Sequence, residues 1–87
     1  MLESEKNLLV GEGSVSIGAG NDTTIYKPKL RRIYVGTTGN VKVSVPVPNA
    51  ANADVTYSNV PAGTYITCRA IIVYATGTTA SNLIGEY

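Results

Sequence analysis

The second half of the chain, residues 30–87, consists almost entirely of short strand-like runs joined by glycine-containing turns. The clearest run is residues 41–47, in which valine occupies every second position. β-Branched residues that alternate in this way are typical of a strand with one buried face. No long stretch has the spacing of apolar residues that a helix needs. The pattern predicts an all-β fold, a small antiparallel β-sandwich or barrel of six to eight short strands with an N-terminal arm.

The predicted strands fall at residues 23–26, 30–35, 41–47, 55–57, 64–75 and 82–87. The turn at 36–40 gives the strongest hairpin signal, because its glycines Gly36 and Gly39 can adopt positive φ. Two other turns are expected at 59–63 and 76–79, and a polar loop at 49–54. Residues 70–75 are apolar on both faces, which indicates either a central strand that is covered on two sides or a strand with one side covered by another chain.

The N-terminal residues 1–22 have a different character. Four glycines are spread through them, and their one firm apolar cluster is Leu8, Leu9 and Val10. We expect an N-terminal arm over 1–22, which is either flexible or becomes ordered by docking on a neighbouring subunit, and a β domain over 23–87. Acidic residues precede the short apolar cluster, so a secretory signal is not expected.

The composition favours an assembly. Hydrophobic residues make up 44% of the 87-residue chain and charged residues only 15%, against a usual charged fraction of about 25%. A domain of this size has a thin core, and the single cysteine, Cys68, rules out an intrachain disulfide. Between residues 43 and 68 the one charged side chain is Asp54. The surplus apolar surface predicts a homo-oligomer.

Nucleic acid and membrane are not expected as partners. The formal net charge is +1, and no apolar run approaches the roughly 18 residues that cross a bilayer. The basic cluster of Lys27, Lys29, Arg31 and Arg32 fits solvated charges at a sheet edge better than contacts with a phosphate backbone.

The chain offers little for catalysis. It has no histidine, and therefore lacks the usual base that titrates near neutral pH. Gly18 and Gly20 begin a dinucleotide-like motif that lacks its third glycine and its helix. In the strand-rich part the acidic residues are Asp54 and Glu86, both near loops or the terminus. We expect no enzymatic activity, no cofactor and no metal, and a buried structural role for Cys68.

All six aromatic residues are tyrosines. Tyrosine suits half-buried seams, because its ring packs while its hydroxyl reaches water or a partner. Packing at the edge of a β core is the simplest explanation, and a role at an interface is the next. The predicted interface combines the apolar cluster of the arm with one arginine and five tyrosines: Leu8, Leu9, Val10, Arg31, Tyr34, Tyr57, Tyr65, Tyr74 and Tyr87.

Four short motifs occur in a characteristic order: RIYVG at 32–36, GNV at 39–41, VTYSNVPAG at 55–63 and ATGTTA at 75–80. In this order and spacing, residues 30–87 resemble the spike base proteins of gene transfer agents and related tailed-phage particles. The most specific parts of the resemblance are residues 59–63 and 75–80, taken together.

The resemblance implies a small β-structured virion protein that sits on the head surface, at capsid vertices, as an oligomeric platform for a fibre. Its implied partners are further copies of itself, in a five-fold ring, the major capsid protein, and a spike or fibre protein. Assembly would take place in the host cytoplasm, and no catalytic residues are implied. Two alternatives remain open: a tail or baseplate adaptor, and a carbohydrate-binding module that would need two coplanar tyrosines on one open face.

Overall fold

The computed structural model describes residues 13–87, so the predicted interface residues Leu8, Leu9 and Val10 lie outside the described part of the chain. The described residues form seven strands and no helix. The strands are β1 (Ser14–Gly18), β2 (Arg32–Val35), β3 (Gly39–Val47), β4 (Ala50–Val60), β5 (Thr64–Thr67), β6 (Ile72–Val73) and β7 (Leu83–Glu86). The predicted all-β class is therefore confirmed.

The strands pair in two antiparallel sheets, as in a small β-sandwich. One sheet has four strands in the order β1-β7-β2-β5, and the other has three in the order β4-β3-β6. Both sheets contribute apolar side chains to one core, which stabilises the layers by removing that surface from water. The buried members are Leu30, Ile33, Val35, Val41, Val43, Val60, Ile66, Ala70, Val73, Ala80 and Leu83.

The valine-rich run forms β3 as predicted, and Val41 and Val43 are fully buried. Its hairpin partner, however, is β4 and not β2. The chain turns at Pro48 and Asn49, where Asn49 has a φ of 64°, and the expected polar loop at 49–54 is mostly strand. The predicted hairpin between β2 and β3 is wrong, because residues 36–38 carry the chain from one sheet to the other.

The long strand predicted at 64–75 is also interrupted. β5 pairs with β2, and β6 then pairs with β3 in the opposite sheet. The crossing segment is held by hydrogen bonds from Leu30 N to Ala70 O (2.9 Å) and from Ile71 N to Ser44 O (2.8 Å). The predicted central strand covered on two sides is therefore wrong, because β5 and β6 are edge strands of the two sheets. Ala70 and Val73 are buried in the core, whereas Ile71 and Ile72 stay half-buried.

The boundary between arm and domain lies earlier than residue 22. β1 pairs along β7, with Ser14 opposite Glu86 and Ser16 opposite Ile84, so this part of the predicted arm is an edge strand of the domain. Residues 23–26, which were predicted as a strand, form none. By contrast, the closing strand at 82–87 is confirmed as β7, and the turn before β5 is confirmed at 61–63.

Candidate interaction surface

The outer face of the four-stranded sheet carries a row of large side chains. Ile33 and Val35 point into the core, so Arg32 and Tyr34, which alternate with them along β2, point outward. The register places Tyr34 opposite Tyr65 on β5 and opposite Ile84 on β7. We call Tyr34, Tyr65 and Ile84 the tyrosine patch. It spans three neighbouring strands.

The tyrosine patch is well exposed for a group of large, mainly apolar side chains. Tyr65 keeps 44% of its surface accessible and Ile84 keeps 40%. The rings of Tyr34 and Tyr65 meet edge to face, with centroids 5.4 Å apart and planes at 63°, which is a favourable aromatic geometry. Large apolar side chains that lie side by side on a surface are typical of a protein contact.

An ion pair orders the neighbouring row of the same face. Arg32 Nε lies 2.6 Å from Glu86 Oε1, and the Arg32 guanidinium carbon lies 4.0 Å from the ring centroid of Tyr65. The hydrogen bond to Glu86 raises the pKa of Arg32 above its usual value, so the charge is fixed. Both contacts hold Tyr65 and Arg32 in place on the outer face of the sheet.

The other predicted interface residues of the described part lie elsewhere. Arg31 precedes β2, half-buried, and its backbone N–H donates to Glu86 O. Tyr57 and Tyr87 pack against the core. Burial, and next the neighbouring Cys68, raises the pKa of Tyr57. Of the five predicted tyrosines, the structure thus brings Tyr34 and Tyr65 together.

Tyr74 lies on the outer face of the three-stranded sheet, on the opposite side of the sandwich from the tyrosine patch. Its hydroxyl donates to Asp54 Oδ1 at 2.9 Å, and this bond is the main reason that its pKa is raised. Lys42 Nζ lies 5.4 Å from the centre of its ring. Tyr74 is therefore engaged within its own sheet.

A second surface feature was not predicted from the sequence. Ile25 is 57% exposed and lies in an open cavity of about 490 Å³, which we call the basic groove. Its lining combines apolar side chains with three cations: Ile25, Tyr26, Lys27, Pro28, Lys29, Arg69 and Ile71. The sequence shows the lysines as a cluster, but it does not show that Arg69 and Ile71 join them.

Chemically reactive groups are sparse in the described part of the chain. Within residues 13–87 no group of three His, Cys, Asp or Glu side chains is placed to hold a metal ion. Asp54 and Glu86 lie on the outer faces of different sheets, so they do not face each other across a cleft. Burial raises the pKa of the Cys68 thiol to about 11, which keeps it protonated at neutral pH.

The described residues contain no helix that is long and apolar enough to cross a membrane. Comparisons with protein-family models, curated proteins and solved structures gave no match for this chain.

Proposed function

We propose that this chain is a structural virion protein of a tailed phage or phage-like particle, which works as a homo-oligomer on the head surface and forms the base for a spike or fibre. The tyrosine patch is the observation that carries the proposal. In this arrangement the patch is the surface through which copies contact one another or the capsid shell.

The energetics support burial of the patch. Complete burial of a large apolar side chain is worth roughly 1.5–3 kcal/mol, so the accessible part of Ile84 or Tyr65 corresponds to about 1 kcal/mol per copy. Arg32 is already ordered by Glu86, which lowers the side-chain entropy lost when a partner binds. A symmetric contact would count each of these terms twice.

The motifs that carry the family resemblance occupy structural positions. Residues 59–63 lead from β4 into β5, with positive φ at Asn59 (53°) and Gly63 (81°). In the segment 75–80, Thr78 and Thr79 hydroxyls accept hydrogen bonds from the backbone N–H groups of Lys42 and Asn40. These turns position the strands, which suits a scaffold protein. The head location and the five-fold ring rest on the resemblance.

A sugar-binding role is less well supported. The rings of Tyr34 and Tyr65 are inclined at 63°, and the Arg32 guanidinium covers Tyr65. They do not form the coplanar platform that the carbohydrate-binding alternative requires.

The first experiment measures the mass of the full-length protein in solution at about 1–100 µM, a range that covers the dissociation constants of a moderate self-association. The substitution Ile84→Lys places a charge on the β7 side of the patch, next to Tyr34, where its long side chain can still reach water in a single copy. Ile84→Val keeps the apolar surface, and Ser58→Lys adds the same charge to an exposed position of β4 on the other sheet.

We expect the wild type, Ile84→Val and Ser58→Lys to form the oligomer, and Ile84→Lys to shift strongly toward the monomer. A monomeric wild type at the highest concentration, or an oligomer that Ile84→Lys leaves intact, contradicts the role of the patch. The virion location needs a separate measurement, in which an antibody against the protein labels intact particles. Label on the tail alone would favour the adaptor alternative, and unlabelled particles would exclude the proposed location.

A further inference from the structure

The basic groove lies next to the point where residues 1–12 join the domain. Gly13 is fixed by two backbone hydrogen bonds with Tyr87, from Gly13 N to Tyr87 O (3.1 Å) and from Tyr87 N to Gly13 O (3.0 Å). A smaller cavity beside Ser14 and Val15 shares the lining residues Tyr26, Lys27 and Pro28 with the groove. Residues 1–12 therefore join the described domain beside a cavity that shares three lining residues with the groove.

The charged side chains are divided unevenly between residues 1–12 and the described domain. Residues 1–12 hold three of the six acidic side chains, Glu3, Glu5 and Glu12, and one of the seven basic ones. Residues 13–87 are left with six basic side chains and three acidic ones. The N-terminal segment is thus acidic overall, and the domain is basic.

The acidic side chains of the described domain already have partners. Asp22 accepts hydrogen bonds from the backbone of Ala75 and Thr76 and from the Thr76 hydroxyl. Asp54 accepts from Tyr74, and Glu86 binds Arg32. Within residues 13–87, none of the three forms a salt bridge with the cations of the groove.

The apolar residues of the N-terminal segment and of the groove are complementary as well. Between its acidic residues, the N-terminal segment carries Leu8, Leu9 and Val10. The groove presents Ile25, Pro28 and Ile71 between Lys27, Lys29 and Arg69. An extended chain covers about 3.3–3.6 Å per residue, so residues 8–10 lie roughly 10–18 Å along the chain from Gly13.

From these observations we infer that the basic groove is the docking site for residues 1–12 of the same chain, with Leu8 to Val10 against Ile25 and the glutamates beside Lys27, Lys29 and Arg69. The tether favours the chain's own segment over that of a second copy. A short flexible linker gives an effective concentration in the millimolar range, whereas a separate copy in dilute solution competes at micromolar concentration. The inference does not depend on the proposed function, because the groove is distinct from the tyrosine patch.

Disulfide trapping in the full-length chain tests this inference. In a Cys68→Ala background, a cysteine replaces Leu8, Leu9 or Val10 in turn, and a second replaces Ile25. The matched control places the second cysteine at Ser16, which is exposed on β1 three residues from Gly13 and is absent from the lining of the groove. Oxidation is followed at about 1 µM protein, where intrachain and interchain products separate by mass.

We expect at least one of the three pairs with Ile25→Cys to form an intrachain disulfide about tenfold faster than its Ser16→Cys control. Lys27→Glu with Lys29→Glu should slow this reaction severalfold, and adding Glu3→Lys with Glu5→Lys should restore it. Equal rates of disulfide formation at Ile25 and Ser16 for all three pairs would show that the N-terminal segment has no preferred site on the domain. Predominantly interchain products would assign the groove to a second copy. Either result overturns the inference, whatever the oligomeric state.

Discussion

Gly85 is the position at which the close packing of the core can be tested most directly. It lies buried in β7, an inner strand of the four-stranded sheet, and its φ is outside the positive region, so alanine suits the backbone there. A Cβ atom at this position would lie 2.8 and 2.9 Å from the two δ carbons of Leu30 and 3.0 Å from Ile17 Cδ1. Carbon atoms prefer separations of about 3.5–4.0 Å.

The substitution Gly85→Ala is therefore expected to destabilise the fold. Inserting a methyl group into a packed core costs about 1–3 kcal/mol. The reduced freedom of the unfolded chain offsets about 0.4–1 kcal/mol of this. Because Leu30 is completely buried and has little space to move, we expect a net loss of about 1–2 kcal/mol in the free energy of unfolding.

A double-mutant cycle with Leu30→Val tests the stated cause. Valine lacks both δ carbons, so the closest clashes disappear, at a cost of about 1 kcal/mol for the substitution alone. In the Leu30→Val background we expect Gly85→Ala to be neutral or stabilising, which gives a coupling energy of about 1–2 kcal/mol. Urea unfolding followed by far-ultraviolet circular dichroism measures all four proteins. If Gly85→Ala costs the same in both backgrounds, or stabilises the wild type, the packing argument is refuted.

Three further predictions concern the core, the hydrogen bonds that Asp22 accepts, and the thiol of Cys68. Val43→Ala, at a fully buried position, should lower the free energy of unfolding by about 2 kcal/mol. Val47→Ala, at the half-exposed end of β3, should lower it by less than about half of that amount. Equal losses would contradict the difference in burial between the two valines. Hydrogen bonds from Thr76 lower the folded-state pKa of Asp22, so its contribution to stability is present above the unfolded pKa of about 3.9 and is lost as the pH falls through the folded value. The difference in Tm between the wild type and Asp22→Asn should accordingly become smaller as the pH is lowered from about 6 to about 2, a range that includes this pKa. A difference that stays constant over the range would contradict a stabilising role for these hydrogen bonds. Because burial raises the pKa of Cys68 to about 11, its alkylation at pH 8 should be on the order of 100-fold slower in the folded than in the urea-unfolded protein, and similar rates would contradict the burial.

The local pattern of the sequence was enough to predict strands but not their partners. Alternating valines indicated β3, and the residues at 82–87 indicated β7. The hairpin prediction failed because Gly36 and Gly39 serve close approach rather than turning. A Cβ on Gly36 would meet Asn82 at 2.6 Å, and one on Gly39 would meet the backbone of Ala80. Such contacts join residues about 40 positions apart, so a local pattern does not contain them.

The same limit applied to the surface. The sequence by itself determined an all-β fold, because side-chain alternation is a local property, and its composition predicted an interface that includes tyrosines. Only the tertiary structure decided which tyrosines share a face, that Ile84 lies beside Tyr34, and that Arg69 and Ile71 complete a groove around Ile25. Those neighbours are set by strand register and by the order of strands in two packed sheets. Both follow from the burial of the whole core and not from any one segment.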